Sequence, residues 1–151
     1  MDGFILSEDE GPEINFHGTR MVIKVSERDC EGRYTLIEMN HLANSGPALH
    51  IHPNAPEAYY VLEGDYTIQF GENIRDAHVG DFVFIPKGIP HKYKSGPNGG
   101  KLIVIAPAGL EKYFKEVADA IRFSGQITWK SEQEIATRYG QEFLDSLNHW
   151  G

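Results

Sequence analysis

The chain has 151 residues, enough for one hydrophobic core and short for two. A formal net charge of -8 leaves no basic face to neutralise phosphates, so nucleic acid and anionic membranes are not expected partners. The single cysteine, Cys30, can neither close an intrachain disulfide nor build a thiolate metal knuckle, and a reducing cytoplasm is the expected setting.

The opening "MDGFILSEDEGPE" offers only Phe4-Ile5-Leu6 as an apolar run before it turns acidic, unlike a secretion signal. No stretch reads as a membrane-spanning helix. From about Arg20 to Ala106, short β-branched and aromatic segments are broken every ~8–12 residues by Gly, Pro or Asn, the cadence of an all-β sandwich or barrel. The predicted strands are "MVIKV", "RYTLIEMN", "ALHIH", "EAYYVLEG", "YTIQF", "DFVFIP", "HKYK" and "KLIVIAP". The predicted turns are "NSGP", "EGD", "GEN", "HVGD", "PKGIP" and "SGPNGG". Cys30, between Asp29 and Glu31, reads as turn filler because acidic neighbours disfavour a thiolate. "FVFI" and "LIVIA" are apolar on both faces and read as core strands.

After Pro107, Leu110, Phe114, Val117 and Ile121 are spaced by four, three and four, which lays one apolar stripe along a helix. A second helix is expected to start at "SEQE", with Ser131 as cap and Glu134 reaching back, and to stop at Gly140. The organisation predicted is one domain over 1–151, with a barrel core at about 20–106 and helices at about 109–148. Helices this short need the barrel or a second subunit to pack on. Together with an N-terminal strand they leave exposed apolar edges, which predicts a homodimer.

The chemistry gathers in "ALHIHPNAPEAYYVLEG", Ala48 to Gly64. Residues two apart on a strand face the same way, roughly 6.5–7 Å apart, so His50 and His52 can aim at one point. Pro53 and Pro56 restrict the turn that follows and bring Glu57 to the head of the next strand beside them. Pro86, Gly88 and Pro90 force a second turn from which His91 emerges. Three imidazoles and one carboxylate, without sulfur, suit one divalent first-row metal, Fe, Mn, Ni, Co, Cu or Zn, and leave positions open for substrate. The competing reading, four buried polar side chains with no ion, needs a hydrogen-bond partner for every imidazole. Tyr59 and Tyr93, two residues beyond Glu57 and His91, share their inward face and are candidate pocket walls. His17, His41, His78 and His149 fall near turns or the terminus and are expected to be solvated. Arg33 and Glu38 lie on opposite faces of one strand, and either is placed to reach substrate.

These residues resemble the two motifs of the cupin superfamily, G-x5-H-x-H-x3,4-E-x6-G and G-x5-P-x-G-x2-H-x3-N. Here they run His50-x-His52-x4-Glu57-x6-Gly64 and Gly80-x5-Pro86-x-Gly88-x2-His91. The leading glycine, Gly46, stands nearer His50 than the pattern asks, and Ser95 takes the asparagine position. The resemblance implies an all-β double-stranded β-helix, or jelly-roll, barrel with a C-terminal helical extension, and His50, His52, Glu57 and His91 as metal ligands. "EAYYVLEG", "GDFVFIPKGIPH" and "PAGLEKYFKEV" are further similar to small quercetin 2,3-dioxygenase-like cupins. The function expected is a metal-dependent small-molecule enzyme, best a dioxygenase acting on an enolic or phenolic substrate with Glu57 taking its proton. The alternatives are a metal-dependent isomerase, epimerase or lyase, and a non-enzymatic ligand-binding cupin.

Overall fold

The computed structural model describes residues 1–151. The strands are β1 (Glu13–Phe16), β2 (Thr19–Val25), β3 (Thr35–His41), β4 (His50–Ile51), β5 (Glu57–Phe70), β6 (Asn73–Ala77), β7 (Phe82–Ile85) and β8 (His91–Ala106). Helices α1 (Leu110–Ser124) and α2 (Trp129–Arg138) follow, and β9 (Glu142–Phe143) closes the chain. All pairings are antiparallel, and β8 is the hub, bonded to β3, β4 and β5. This curled sheet is the expected jelly-roll barrel with C-terminal helices. No helix is long and apolar enough to cross a membrane.

Two predicted turns are absent. "EAYYVLEG" and "YTIQF" form the single 14-residue β5, and "HKYK" and "KLIVIAP" the single 16-residue β8. Gly64, at φ 78, pairs with Gly100, and a Cβ on it would lie 2.3 Å from the Gly99 carbonyl oxygen. The glycines there permit a close backbone crossing at a bulge, so the strands bend and continue where composition suggests a reversal. β6 hid between two turn signals, its side chains mostly exposed and without an apolar alternation. "ALHIH" shrinks to the two residues of β4, and the short β1 and β9 lie outside the predicted strands.

Inward side chains of the strands, among them Met21, Ile37, Tyr59, Val61, Ile68 and Leu102, make one core. α1 closes it with Leu110, Tyr113, Phe114 and Val117, the expected stripe with Tyr113 added. "FVFI" and "LIVIA" are not buried on both faces, because Phe82, Phe84 and Ile105 project outward beside Tyr60 and stay exposed. α2 starts earlier than expected. Extended Thr128, not Ser131, is its cap, accepting the Ser131 N–H, while Gly140 at φ 76 follows its end. Cys30 lies in a turn, its Sγ 3.1 Å from the Tyr34 carbonyl oxygen.

α2 carries one buried acid, Glu132, whose Oε1 lies 2.5 Å from His17 Nε2 and whose other oxygen faces His149 Nε2. Burial works to raise its pKa, but hydrogen bonds from His149 and His17 outweigh this and hold it down to about 2. A carboxyl depressed below its ordinary 4.5 gives stability that is present above that value and lost as pH falls towards 2, roughly 3 kcal/mol in all. Urea unfolding of the protein and of Glu132→Gln should therefore differ most near pH 6, with the gap narrowing as pH falls to 3. A gap independent of pH contradicts this assignment.

Candidate metal centre

β4 and β8 bring the first two histidines together by register, since His50 sits directly opposite His91 and their ring centroids are 4.2 Å apart. His52 follows just beyond β4, with its ring 5.0 Å from His50 and 5.2 Å from His91. The Gly88 N–H donates to the His52 carbonyl at 2.9 Å, which ties the turn before His91 to the loop after β4. Glu57 opens β5. Its Oε1 lies 3.3 Å from His91 Nε2 and its Oε2 3.3 Å from His52 Nε2. One donor atom from each of the four residues falls within 4.8 Å of the others, and all four side chains are buried.

The hydrogen bonds around the imidazoles fix their protons. His50 Nδ1 lies 2.8 Å from the Ala48 carbonyl and His91 Nδ1 2.8 Å from the Ile89 carbonyl. A carbonyl only accepts, so each Nδ1 carries the hydrogen; neutral His50 turns its Nε2 lone pair inward, and His91 turns its Nε2 to Glu57 Oε1, 3.3 Å away. This is the outer support that metal-bound histidines ordinarily have. Burial, with His91 and His52 alongside, holds His50 well below its usual range and therefore neutral. His52 Nδ1 has no hydrogen-bond partner, and its Nε2 faces Glu57 Oε2, 3.3 Å away. An orphaned buried imidazole is costly, and a cation shared by these donors removes that cost. The residues therefore fit a divalent transition metal.

Burial works to raise Glu57, but His52 and His91 outweigh it and hold the group well below the usual carboxylate range. The Tyr59 hydroxyl donates to Glu57 Oε1 at 2.5 Å. Burial, the Glu57 charge and Tyr93 push that phenol well up, so it keeps its proton. Tyr93 also faces the cavity as alternation requires, but its hydroxyl is taken by His41 Nε2 at 2.9 Å.

Of the four histidines expected to be solvated, His41 and the His149 side chain are not. His41 is fully enclosed, bonded to Tyr66 at 2.8 Å and to Tyr93, and burial pulls it down to about 3. Its signal was in the sequence: Ile37, Met39 and His41 share one face of β3. His78 is exposed beside Asp65, as expected. Neither Arg33 nor Glu38 reaches the cavity. Arg33 precedes β3 and is exposed, and Glu38 points out of the barrel, buried near Lys101 and Asp9. Gln141, Phe143 and Trp150 complete the cavity wall and were not anticipated. Ser95, in the divergent motif position, accepts the Ser45 N–H and donates to the Leu42 carbonyl, so it still pins the loop before β4.

The Cupin domain family matches residues 36–106, the stretch that holds all four clustered residues. The chain thus carries a cupin domain. The chain is 21% identical over 117 residues to quercetin 2,3-dioxygenase of Bacillus subtilis (strain 168), covering 77% of the chain and 35% of the relative. It thus spans about a third of the length of the curated relative it matches. Its fold is similar to that of KdgF from Halomonas sp., with TM-score 0.62, 14% identity and coverage of 74% of this chain and 99% of that one. A predicted oxalate decarboxylase of Thermotoga maritima gives 0.60 at 21% identity, covering 69% and 99%. The polyketide cyclase RemF of Streptomyces resistomycificus gives 0.60 at 22%, covering 70% and 80%.

Removing the Tyr59 hydroxyl takes a charge-assisted donor from a buried carboxylate. Tyr59→Phe should lower the unfolding free energy of the metal-free cupin by about 1–3 kcal/mol in urea titrations, and an unchanged value contradicts the bond.

Proposed function

We propose that this cupin is a metal-dependent enzyme whose substrate is a small molecule with an enolic or phenolic oxygen, and that its reaction is a quercetinase-like oxygenation. In this reading His50, His52, Glu57 and His91 hold one divalent ion of Fe, Mn, Ni, Co, Cu or Zn. Such an ion would supply a Lewis-acidic position and, when redox-active, a relay for electrons passing from the substrate to dioxygen. The observation that carries the reading is the meeting of four buried donors, with the Nδ1 atoms of His50 and His91 tied to backbone carbonyls and their Nε2 atoms turned inward.

The chain's own residues then have separate tasks. Glu57, ionised and facing the donors, takes the proton of the substrate hydroxyl at a carboxylate oxygen. Tyr59 holds the other proton of the site, fixing Oε1 by its 2.5 Å bond. The Ala48 and Ile89 carbonyls keep His50 and His91 in one tautomer, and the rings of Tyr59 and Tyr93 form apolar walls that exclude water. The likeness to a quercetin 2,3-dioxygenase supports the oxygenase half of the proposal. The Glu57–Tyr59 bond favours a second reading, an isomerase, epimerase or lyase, because a carboxylate and a phenol can pass a proton without dioxygen. We extend the proposal to a single domain in a cytoplasmic homodimer. The exposed outer-face Tyr60, Phe82 and Phe84 support the dimer, and Cys30, as the sole cysteine, supports the compartment.

Protein loaded in turn with Fe, Mn, Ni, Co or Cu should consume oxygen in step with the loss of a flavonol or related enediol. Chelation should abolish this, and Glu57→Gln should slow it at least about 100-fold. Turnover that persists without oxygen assigns the second reading, and inactivity with every ion contradicts both.

A further inference from the structure

The chain after α2 doubles back across the open end of the barrel. β9 pairs with β4, Phe143 opposite His50 and Glu142 opposite Ile51. The Leu144 N–H donates to the Leu49 carbonyl at 2.8 Å and the Trp150 N–H to the Gly46 carbonyl at 2.6 Å. Residues 141–151 thus run along the segment that presents His50. From this tail Gln141, Phe143 and Trp150 wall the cavity opposite the barrel, and the Trp150 indole stacks on His41 with centroids 5.8 Å apart and planes 6° apart.

With the tail in place the cavity holds about 20 Å³, room for little more than one water-sized group. No phenolic or enolic substrate enters such a space, so part of the wall must move. The long strands are held in ladders over most of their length, whereas β9 has two residues and Gly140, at φ 76, lies at the tail's root. The tail is held to the barrel by few backbone bonds.

One cluster away from the cavity fastens it. His17, Glu132 and His149 place a donor atom each within 4.8 Å of one another, the geometry of a second candidate cation site. The protons argue otherwise. The Ala48 N–H donates to His149 Nδ1 at 3.1 Å, so Nδ1 carries no hydrogen and the single proton of the neutral ring sits on Nε2, facing Glu132. A ring nitrogen that carries a proton is no metal ligand. The cluster is a polar clasp in which Glu132 on α2 is hydrogen-bonded to His17 in the β1–β2 turn and in close polar contact with His149 of the tail.

We propose that residues 141–151 form a strap that gates the metal centre, and that Glu132, through His149, is the latch that holds it shut. What the strap guards rests on the metal reading above, whereas how it is fastened does not. Two variants test the latch. Glu132→Gln removes the charge and leaves one acceptor oxygen for the two histidines, and His149→Phe keeps a ring in place but can neither donate to Glu132 nor accept from the Ala48 N–H. Amide hydrogen exchange is followed in the metal-free protein, and the rate at which a chelator strips bound Co²⁺ is followed in the loaded one.

In both variants the amides of residues 142–151 should exchange at least about tenfold faster while those of β5 and β8 keep the parent rate. Chelator extraction should accelerate in the same proportion, with the visible spectrum of bound Co²⁺ unchanged. Tail exchange at the parent rate in a variant whose β5 and β8 remain protected overturns the latch. Faster tail exchange with an unchanged extraction rate overturns the gate. Faster tail exchange in a protein that never takes up Co²⁺ supports the latch and counts against the metal centre. Should Glu132→Gln lose protection throughout, His149→Phe carries the test.

Discussion

Everything at the centre of this barrel depends on which ring nitrogen of His50 and of His91 carries the proton. The two residues face each other across β4 and β8, and each Nδ1 meets a backbone carbonyl two residues back in its own chain. Two Nε2 atoms are thereby turned inward, beside an imidazole whose Nδ1 has no partner and a carboxylate held ionised. Left without a cation, such a group is an expensive thing to bury. With one, every donor has an acceptor of its electrons. The same bookkeeping of protons separates this cluster from the one at His17, Glu132 and His149, which has comparable spacing and opposite chemistry.

Much of the centre was legible in the sequence because it rests on local rules. Strand alternation puts His50 and His52 on one side, prolines and Gly88 shape the turns that return Glu57 and His91, and the same parity carries Tyr59 and Tyr93 inward. What could not be read is non-local. Gly64 and Gly100 look like turn residues until the opposing backbone is seen to occupy the space a Cβ would need. His41 obeys the alternation of β3, but its enclosure comes from Tyr66, Tyr93 and Trp150, which approach from other strands and from the last residues of the chain. Phe82 and Phe84 mislead in the other direction, since an apolar run does not say that both faces of a sheet are covered.

The helical extension is tied to the chemistry through packing. α1 plugs one part of the barrel with Leu110 and Phe114, and α2 holds Glu132 where it can bind the returning tail. The tail then reaches the strand that bears His50, so that the segment which closes the cavity is fastened to the segment which supplies a donor. On the proposed reading, closure this tight keeps water from the metal centre and has to be reversible.

The central claim is that the inward Nε2 atoms of His50 and His91 serve a cation. Anomalous diffraction from crystals of the Co²⁺-loaded protein tests it most directly. The account predicts one peak about 2.0–2.2 Å from Nε2 of His50, His52 and His91 and from a Glu57 oxygen, with both Nδ1–carbonyl bonds intact. A peak at the Glu132 cluster alone, or none between the four side chains, would contradict it.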